Sequence, residues 1–529
     1  MAEPGDFVLA KRIFCVLKYT YKLTMRYILC IILACLSVWA IEPTEVAVVY
    51  NAESPISQAA ALRYCEARRI PKEQLLPLSG LKRGDIEREQ FEALIVQPLL
   101  QLGYKRGMMW PCGPRNGRRL MRAMVLMPDI PLRVKEEMIN GKPMGTGAER
   151  TEAAVDSELM LLGAEFPKKG MGKNPHFKQK IPGKKELPRV LTVCRIDGPD
   201  EAAIFRMINE PVEVEKSGLW GWVVADNGGP YKDGDNMIRQ AAELARKRGQ
   251  PLFYESSKST LADGFPLMKQ VAVYFGWYTR NANGPFGASA PATWRLGRGS
   301  IAFHLHSYSA INIYDGISWV SALLKRGACV TAGNVAEPYL GACLNYGIFY
   351  EKLLAGAQVG EAVLVASPSV SWQGIVLGDP LYRPFPANLR PSRDNPYAGW
   401  QDIFRRSNGD FRAMQNAVEQ KLSTPNAGLY AEMFAWYCTW EKRFPMAAEY
   451  FSLAARRHYA EADKVRASLM QASVTAATGA VERALGLFDS LELRCAATPW
   501  LNAVKKSSAP FRPKPKPSAD KDKNNQKAP

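Results

Sequence analysis

Two of the four histidines in this 529-residue chain, His304 and His306, stand one residue apart in the apolar run SIAFHLHSYSA, residues 300–310. On a strand, residues i and i+2 share a face, so both imidazoles are expected to look the same way, with Leu305 turned toward covering helices. Three chemistries are open to the pair. Two imidazoles can occupy two positions on a transition metal, with a third ligand from His176, Asp226, Glu337 or Cys329. One of them can act as base or hydrogen-bond donor, with His306 expected at the rim. Or both are strand residues with a structural part only. The following strand, ACVTAGN, adds Cys329 and Thr331. A His-ending strand beside a Cys-bearing one allows a dyad, in which imidazole draws off the thiol proton to leave a thiolate nucleophile. Thr331 is the alternative nucleophile, and backbone N–H groups near Gly333 would form the oxyanion site. No third histidine or Cys-x-x-Cys accompanies the pair, so no metal and no cofactor are expected.

The elements that must position these residues alternate from Glu45 to about Phe385. EVAVVYN is a strand, and SPISQAAALRYCEARRIP is a helix with Ser54 as cap and Pro71 as stop. RAMVLMPDIPL, RVLTVCRIDGP, GLWGWVVADNGG, KQVAVYFGWYT, GSIAFHLHSYSA and ACVTAGN are further strands, with helices between several of them. Continuous apolar strands separated by helices predict an α/β class, a mostly parallel sheet with helices on both faces. Ligands bind such sheets outside the carboxyl ends of the strands. The residues there are Asn51, Arg195 and Asp197, Asp226 and Asn227, Trp277 and Tyr278, the two histidines, and Thr331, Asn334 and Glu337. They are expected to converge on one polar cleft with aromatic walls. Asp226 and Asn334 could instead serve only as helix caps.

Residues 140–186 break the alternation with a Gly/Lys/Pro-rich excursion that carries AAVDSEL, so Asp156 and Glu158 join the candidate ligand-binding residues. A His–carboxylate pair with one of them is the alternative to the dyad. The core is expected over 41–390. Residues 395–500 read as an all-α domain of helix pairs, similar in spacing to tetratricopeptide repeats or to an ordinary bundle. Residues 501–529 read as a disordered basic tail.

The formal charge is +18, and about half of it lies at the two ends. Residues 1–40 carry five Lys/Arg against two acids, and the chain from Asn502 carries eight against two. No nucleic-acid-binding motif appears between them. MRYILCIILACLSVWA, residues 25–40, has a positive start, a short apolar run, and Val38 and Ala40 at cleavage positions. It reads as an export signal cut after Ala40, with lipidation at Cys35 or a retained anchor as alternatives. No later stretch is long and apolar enough to span a membrane. Seven scattered cysteines beyond Ala40 argue against a disulfide scaffold or zinc ribbon.

The blocks VVYNAESP, AAVDSEL, GWYTRNANGPF, HLHSYSA, GNVAEPYL and SWQGIVLGDPLYRPF, in that order over residues 46–385, resemble an uncharacterised family of exported bacterial proteins. That resemblance implies export and no particular activity. More distantly, a His-ending strand, a helix, an AC-V strand and a closing LGDPLYR are similar to the gingipain-like branch of caspase-type cysteine peptidases. This implies a three-layer sandwich with a His and a Cys at neighbouring strand ends. The chain departs from that pattern at Ser307, where Gly is usual, and in the later position of Gly333 after Cys329.

Two functions follow as expectations. One is a cysteine-peptidase-like hydrolase using His306, with His304, Cys329 and Thr331 as the other candidate catalytic residues. The other is a non-catalytic extracytoplasmic module. It would hold a small molecule, saccharide or peptide through Asn51, Asp156, Glu158, Asp226, Trp277, Tyr278, Asn334 and Glu337. Its helical domain would take a protein partner. The expected location is periplasmic, secreted or outer-surface.

Overall fold

The computed structural model describes residues 40–513, apart from 114–118, 165–169, 184–185, 187, 258–259, 292 and 387–393. The expected export signal, and the tail from residue 514, lie outside the described residues.

Ten strands form the sheet that positions the candidate residues. They are β1 (Val46–Asn51), β2 (Leu75–Leu78), β3 (Ala123–Leu126), β4 (Thr192–Arg195), β5 (Trp222–Asp226), β6 (Leu252–Glu255), β7 (Val271–Gly276), β8 (Ile301–His304), β9 (Thr331–Asn334) and β10 (Gly374–Leu377). A six-stranded sheet has the order β9-β10-β4-β3-β1-β2, and a four-stranded sheet the order β6-β5-β7-β8. A parallel bridge between Ile301 and Val330 joins the two at β8 and β9. Every pairing is parallel except β9 with β10.

β1, β3, β4, β5, β7, β8 and β9 are buried on both sides, which is why they read as continuous apolar runs, while β2, β6 and β10 are partly exposed and sequence reasoning missed them. In β1, Val46 and Val48 pack on one face with Ala60, Ala61 and Tyr64 of helix α1 (Pro55–Arg68). Ala47 and Val49 pack on the other face with Phe91, Ile95 and Leu99. In the four-stranded half, Val223, Ala225, Val273, Phe275 and Phe303 face α2 (Lys232–Lys247) and α3 (Tyr346–Leu354). The opposite face carries Trp222, Val224, Phe253 and Tyr274.

That second face is covered from the far end of the chain. Every element between residues 396 and 508 is a helix, and helix α4 (Ala427–Trp440) sets Trp436 on Phe253, ring centroids 4.4 Å apart. The C-terminal helices therefore share one core with β5, β6 and β7 and supply the third layer of that half. A buried ion network clamps them. Glu432 takes Arg466 on both oxygens at 2.6 and 2.7 Å, and Arg466 reaches the Pro266 carbonyl at 3.1 Å. The expected tail also starts later than residue 501, because Leu501–Ser508 is a helix with Ala503 and Val504 buried. Among the described residues no helix is long and apolar enough to cross a membrane.

Candidate functional site

β8 ends at His304, so the alternation of a strand does not extend to His306 and the two rings part company. His304 is 1% exposed and lies flat on the Trp319 indole, ring centroids 3.4 Å apart and planes 5° apart. Its Nε2 accepts the Thr279 N–H at 3.2 Å, which places the proton of the neutral ring on Nδ1. Nδ1 meets the Tyr274 hydroxyl at 3.4 Å, and that hydroxyl donates to Asp226 Oδ2 at 3.4 Å. Donation thus runs in one direction, from Thr279 through His304 and Tyr274 to Asp226. Burial, with His306 nearby, holds His304 well below the usual histidine range, so its ring stays neutral.

Asp226 ends the line at the tip of β5. Burial pushes its carboxyl up to about 8, and the Leu261 N–H at 3.1 Å offsets this only in part. Its Oδ1 is buried and has no hydrogen-bond partner. Beside it, Gly228 has φ +106, and a Cβ there would stand 1.7 Å from the Ser257 carbonyl oxygen. Only glycine fits that turn. The turn's N–H groups, from Gly228 and Gly229, go to Asp235 Oδ1 at 3.1 and 2.9 Å. Asp235 Oδ1 also takes the Trp277 indole N–H at 2.8 Å.

Trp277 is therefore a buried anchor, not the exposed wall expected of it. The exposed aromatic surface is formed by its neighbours. Tyr278 is half-buried and packs on His306 with ring centroids 4.6 Å apart, and Tyr231, 58% exposed, meets Tyr278 edge-on at 6.2 Å. The ring of Tyr278 is held indirectly. Thr279, the next residue, gives its N–H to His304 and receives the Trp319 indole N–H on its carbonyl at 2.8 Å. The stacked pair His304–Trp319 thus grips both polar groups of one backbone unit.

His306 is the less buried of the two histidines, 7% exposed against 1%. Its Nδ1 accepts the Tyr308 N–H at 3.3 Å, which puts the ring proton on Nε2. Burial lowers its basicity, the Glu337 carboxylate raises it, and Arg280 lowers it. The ring therefore feels both an anion and a cation. Asn334 pins the turn from beneath, donating Nδ2–H to the His306 carbonyl at 3.3 Å and to Cys343 Sγ at 3.6 Å. Burial takes the Cys343 thiol up to about 12.

The expected dyad is not formed. Val330 pairs with Ile301, and the Cys329 N–H bonds the Ser300 carbonyl at 2.9 Å, so Cys329 stands level with the start of β8. At about 3.3 Å per residue, His304 lies ~13 Å further along the strand. Cys329 is fully buried, its Sγ–H points to Glu210 Oε2 at 3.3 Å, and burial with that carboxylate drives its basicity far up. Thr331 is one residue further on, fully buried, its hydroxyl without a partner. Neither can reach a ring at the other end of the sheet.

Nor do the tips of the six-stranded half join the same surface. Asn51 spends its side chain on backbone, giving Nδ2–H to the Leu81 and Asp129 carbonyls at 3.3 and 3.2 Å and taking the Glu53 N–H at 3.0 Å. Asp156 is paired with Arg195 at 2.6 Å, and Arg195 also binds the Ile130 and Pro131 carbonyls. Asp197 lies 3.6 Å from the same guanidinium and accepts the Tyr314 hydroxyl at 2.8 Å. Glu158 takes Arg88 and the Ser371 hydroxyl, each at 3.0 Å. These ions hold the loops of that half together, and neither Asp156 nor Glu158 partners a histidine. Asp156, Ser309, Asn334 and Cys343 line a cavity of about 40 Å³, room for a water molecule but not for a ligand.

Among the described residues no group of three or more His, Cys, Asp or Glu side chains could hold a metal ion. His176 lies apart, accepting the Arg189 N–H. The cysteines described are all free, and all but Cys112 are buried. Sequence reasoning missed Tyr231, Tyr274, Asp235, Arg280 and Trp319. Trp319 follows Ser318 at a helix start and reads as core, and its grip on Thr279 depends on a contact 40 residues away.

No family model matches the chain, and no curated protein matches it. A solved structure described as "Structure of Protease" aligns with a TM-score of 0.39 and 11% identity, over 65% of this chain and 79% of that one.

Proposed function

We propose that this chain is an exported binding module that takes a saccharide at the carboxyl ends of β7, β8 and β9. The aromatic run Tyr231–Tyr278–His306 carries the reading. Tyrosine faces suit the apolar face of a sugar ring, and a few placed polar groups fix its orientation. The His306 Nε2–H, Arg280 and Glu337 are those groups. Two features oppose hydrolysis. The thiols of Cys329 and Cys343 are both held protonated by burial. The His306 Nδ1 lone pair is already taken by Tyr308, so the neutral ring offers a donor and not a base.

The test is binding of the full chain to an array of oligosaccharides, followed by calorimetry on the best ligand. Tyr278→Ala should weaken binding at least tenfold and leave the thermal midpoint nearly unchanged. Binding with no loss in Tyr278→Ala, or turnover of the bound sugar, would overturn the reading. So would preferential binding of peptides.

A further inference from the structure

Ile41 is the first residue of the larger of two compact units. Ile41 is 5% exposed and packs in the core beside Val46, Tyr64 and Leu381. A Cβ on Gly360 would stand 3.1 Å from its Cδ1, so the backbone there is close-fitting. One side chain holds both polar groups of the residue. The Ile41 N–H donates to Gln358 Oε1 at 2.6 Å, and Gln358 Nε2–H donates to the Ile41 carbonyl at 3.2 Å. Gln358 caps the helix Val359–Ala366, and Glu361 Oε2 accepts the Gln358 backbone N–H at 2.9 Å. The other oxygen, Glu361 Oε1, is buried with no hydrogen-bond partner on a side chain 3% exposed. A buried carboxylate oxygen without a donor is costly. Gln358 is hydrogen-bonded both to the Ile41 nitrogen, through its side-chain oxygen, and to this carboxylate, through its backbone N–H.

The bond before Ile41 is the one that Val38 and Ala40 mark for cleavage. Its hydrolysis consumes one water. The C–N bond breaks, hydroxyl goes to the Ala40 carbonyl carbon, and the Ile41 nitrogen gains hydrogen and then a solvent proton. An α-amino group has an ordinary pKa of about 8, so the product is largely an ammonium at neutral pH. One amide donor becomes three N–H donors and a positive charge.

We propose that a processing peptidase cleaves between Ala40 and Ile41, and that the new Ile41 ammonium is buried as the ion partner of Glu361. The pair locks the mature N-terminus onto the helix that starts at Val359. Before cleavage Glu361 lacks that partner. Burial holds its carboxyl up at about 7 although Arg383 and Arg122 pull it down, with Glu45 opposing them. After cleavage the ammonium lowers it, and the carboxylate in turn raises the amine. The stability from the pair is then present between the two folded pKa values. It is lost below the lower one as Glu361 protonates, and above the upper one as the amine gives up its proton.

The full reading frame, produced in a bacterial host with its own signal peptidases, is purified and its N-terminus sequenced. Ile41 as first residue is expected. A first residue at Cys35, or an uncut chain, would overturn the proposal. Wild type and Glu361→Gln, both processed, are then melted from pH about 5 to about 10. Glu361→Gln should lower the midpoint near pH 7, and the gap should close toward pH 10. A midpoint unchanged or raised by Glu361→Gln near pH 7 would show a lone buried acid and overturn the ion pair. Acylation of the folded protein with an amine-directed reagent gives a second measurement. The Ile41 amine should be spared until the chain is unfolded, and rapid acylation of the folded form would refute its burial.

Discussion

Replacing Asp226 with asparagine should stabilise this protein near neutral pH and lose that advantage in mild acid. In the folded chain Asp226 is buried, accepts the Leu261 N–H and the Tyr274 hydroxyl on Oδ2, and leaves Oδ1 without a partner. Burial takes its pKa to about 8, against about 3.9 in an unfolded chain. A carboxyl whose folded pKa is raised contributes most below the unfolded value, and that contribution is lost as pH rises toward the folded one. Between pH about 4.5 and about 7.5 the folded state holds a proton that the unfolded state has released. Three pH units at about 1.4 kcal/mol each make ~4 kcal/mol. Asparagine keeps an oxygen for Leu261 and Tyr274 and never needs that proton. Its new NH2 group lacks an acceptor and costs ~1–3 kcal/mol, but equally at both pH values, so it cancels in the comparison. The assay is urea unfolding of wild type and Asp226→Asn at the two pH values. The effect of the substitution should move toward stability by ~4 kcal/mol on going from acid to neutral. The same effect at both would mean that Asp226 is ionised in the fold and balanced by a counter-charge, refuting this account.

Four further outcomes follow from the geometry. A thiol-directed probe should leave Cys329 unlabelled in the folded protein at pH about 7, and His306→Ala should not change that; labelling that depends on His306 would restore the dyad. Gly228→Ala places a methyl 1.7 Å from the Ser257 carbonyl oxygen at φ +106, so the fold should lose at least ~2 kcal/mol on denaturant unfolding. Arg466→Met leaves the buried Glu432 with His458, 2.8 Å from its Oε2, in place of the two-point guanidinium contact. It should cost ~3–5 kcal/mol, with the double change Glu432→Gln and Arg466→Met recovering much of the loss. Burial opposes Glu432's charge but Arg466 overrides it and takes the carboxyl down to about 2; the stability this brings is present above about pH 4.3 and is lost as pH falls toward 2. Trp319→Phe keeps a ring under His304 but removes the donor to the Thr279 carbonyl; it should weaken saccharide binding at the proposed site, read by calorimetry, and unchanged affinity would refute the grip on Tyr278.

Seven of the ten strands were legible because they are buried on both faces, and a run such as Val46–Val49 reads as an interior strand, whereas the short, partly exposed β2, β6 and β10 gave no such run and were not legible. The C-terminal helices were legible as helices but not as a layer. Nothing local in Trp436 announces Phe253, and sequence patterning cannot tell a helix that closes its own bundle from one that closes a sheet. The site was legible in part. Strand tips pointed to Asp226, the histidines and Asn334, and these do gather. The pairing of tips across strands is a matter of register, and register decided the dyad. Cys329 is only one strand away from His304 in the sheet, yet a parallel pairing of Val330 with Ile301 puts the thiol at the wrong end.

The same reasoning explains why two histidines one residue apart have different parts. A strand alternates only while it lasts, and β8 stops at His304. The imidazole that is still on the sheet falls into the layer beneath, where Trp319 covers it and Thr279 and Tyr274 occupy both nitrogens. The one beyond the sheet takes its direction from a turn, through the Tyr308 N–H and Asn334, and comes to rest against Tyr278. The two are nevertheless linked, because Thr279, which His304 holds, follows Tyr278, against which His306 packs. A change at the buried ring therefore reaches Tyr278 and His306 through one peptide unit, and in the proposed saccharide site His304 would act only by holding Tyr278 in place.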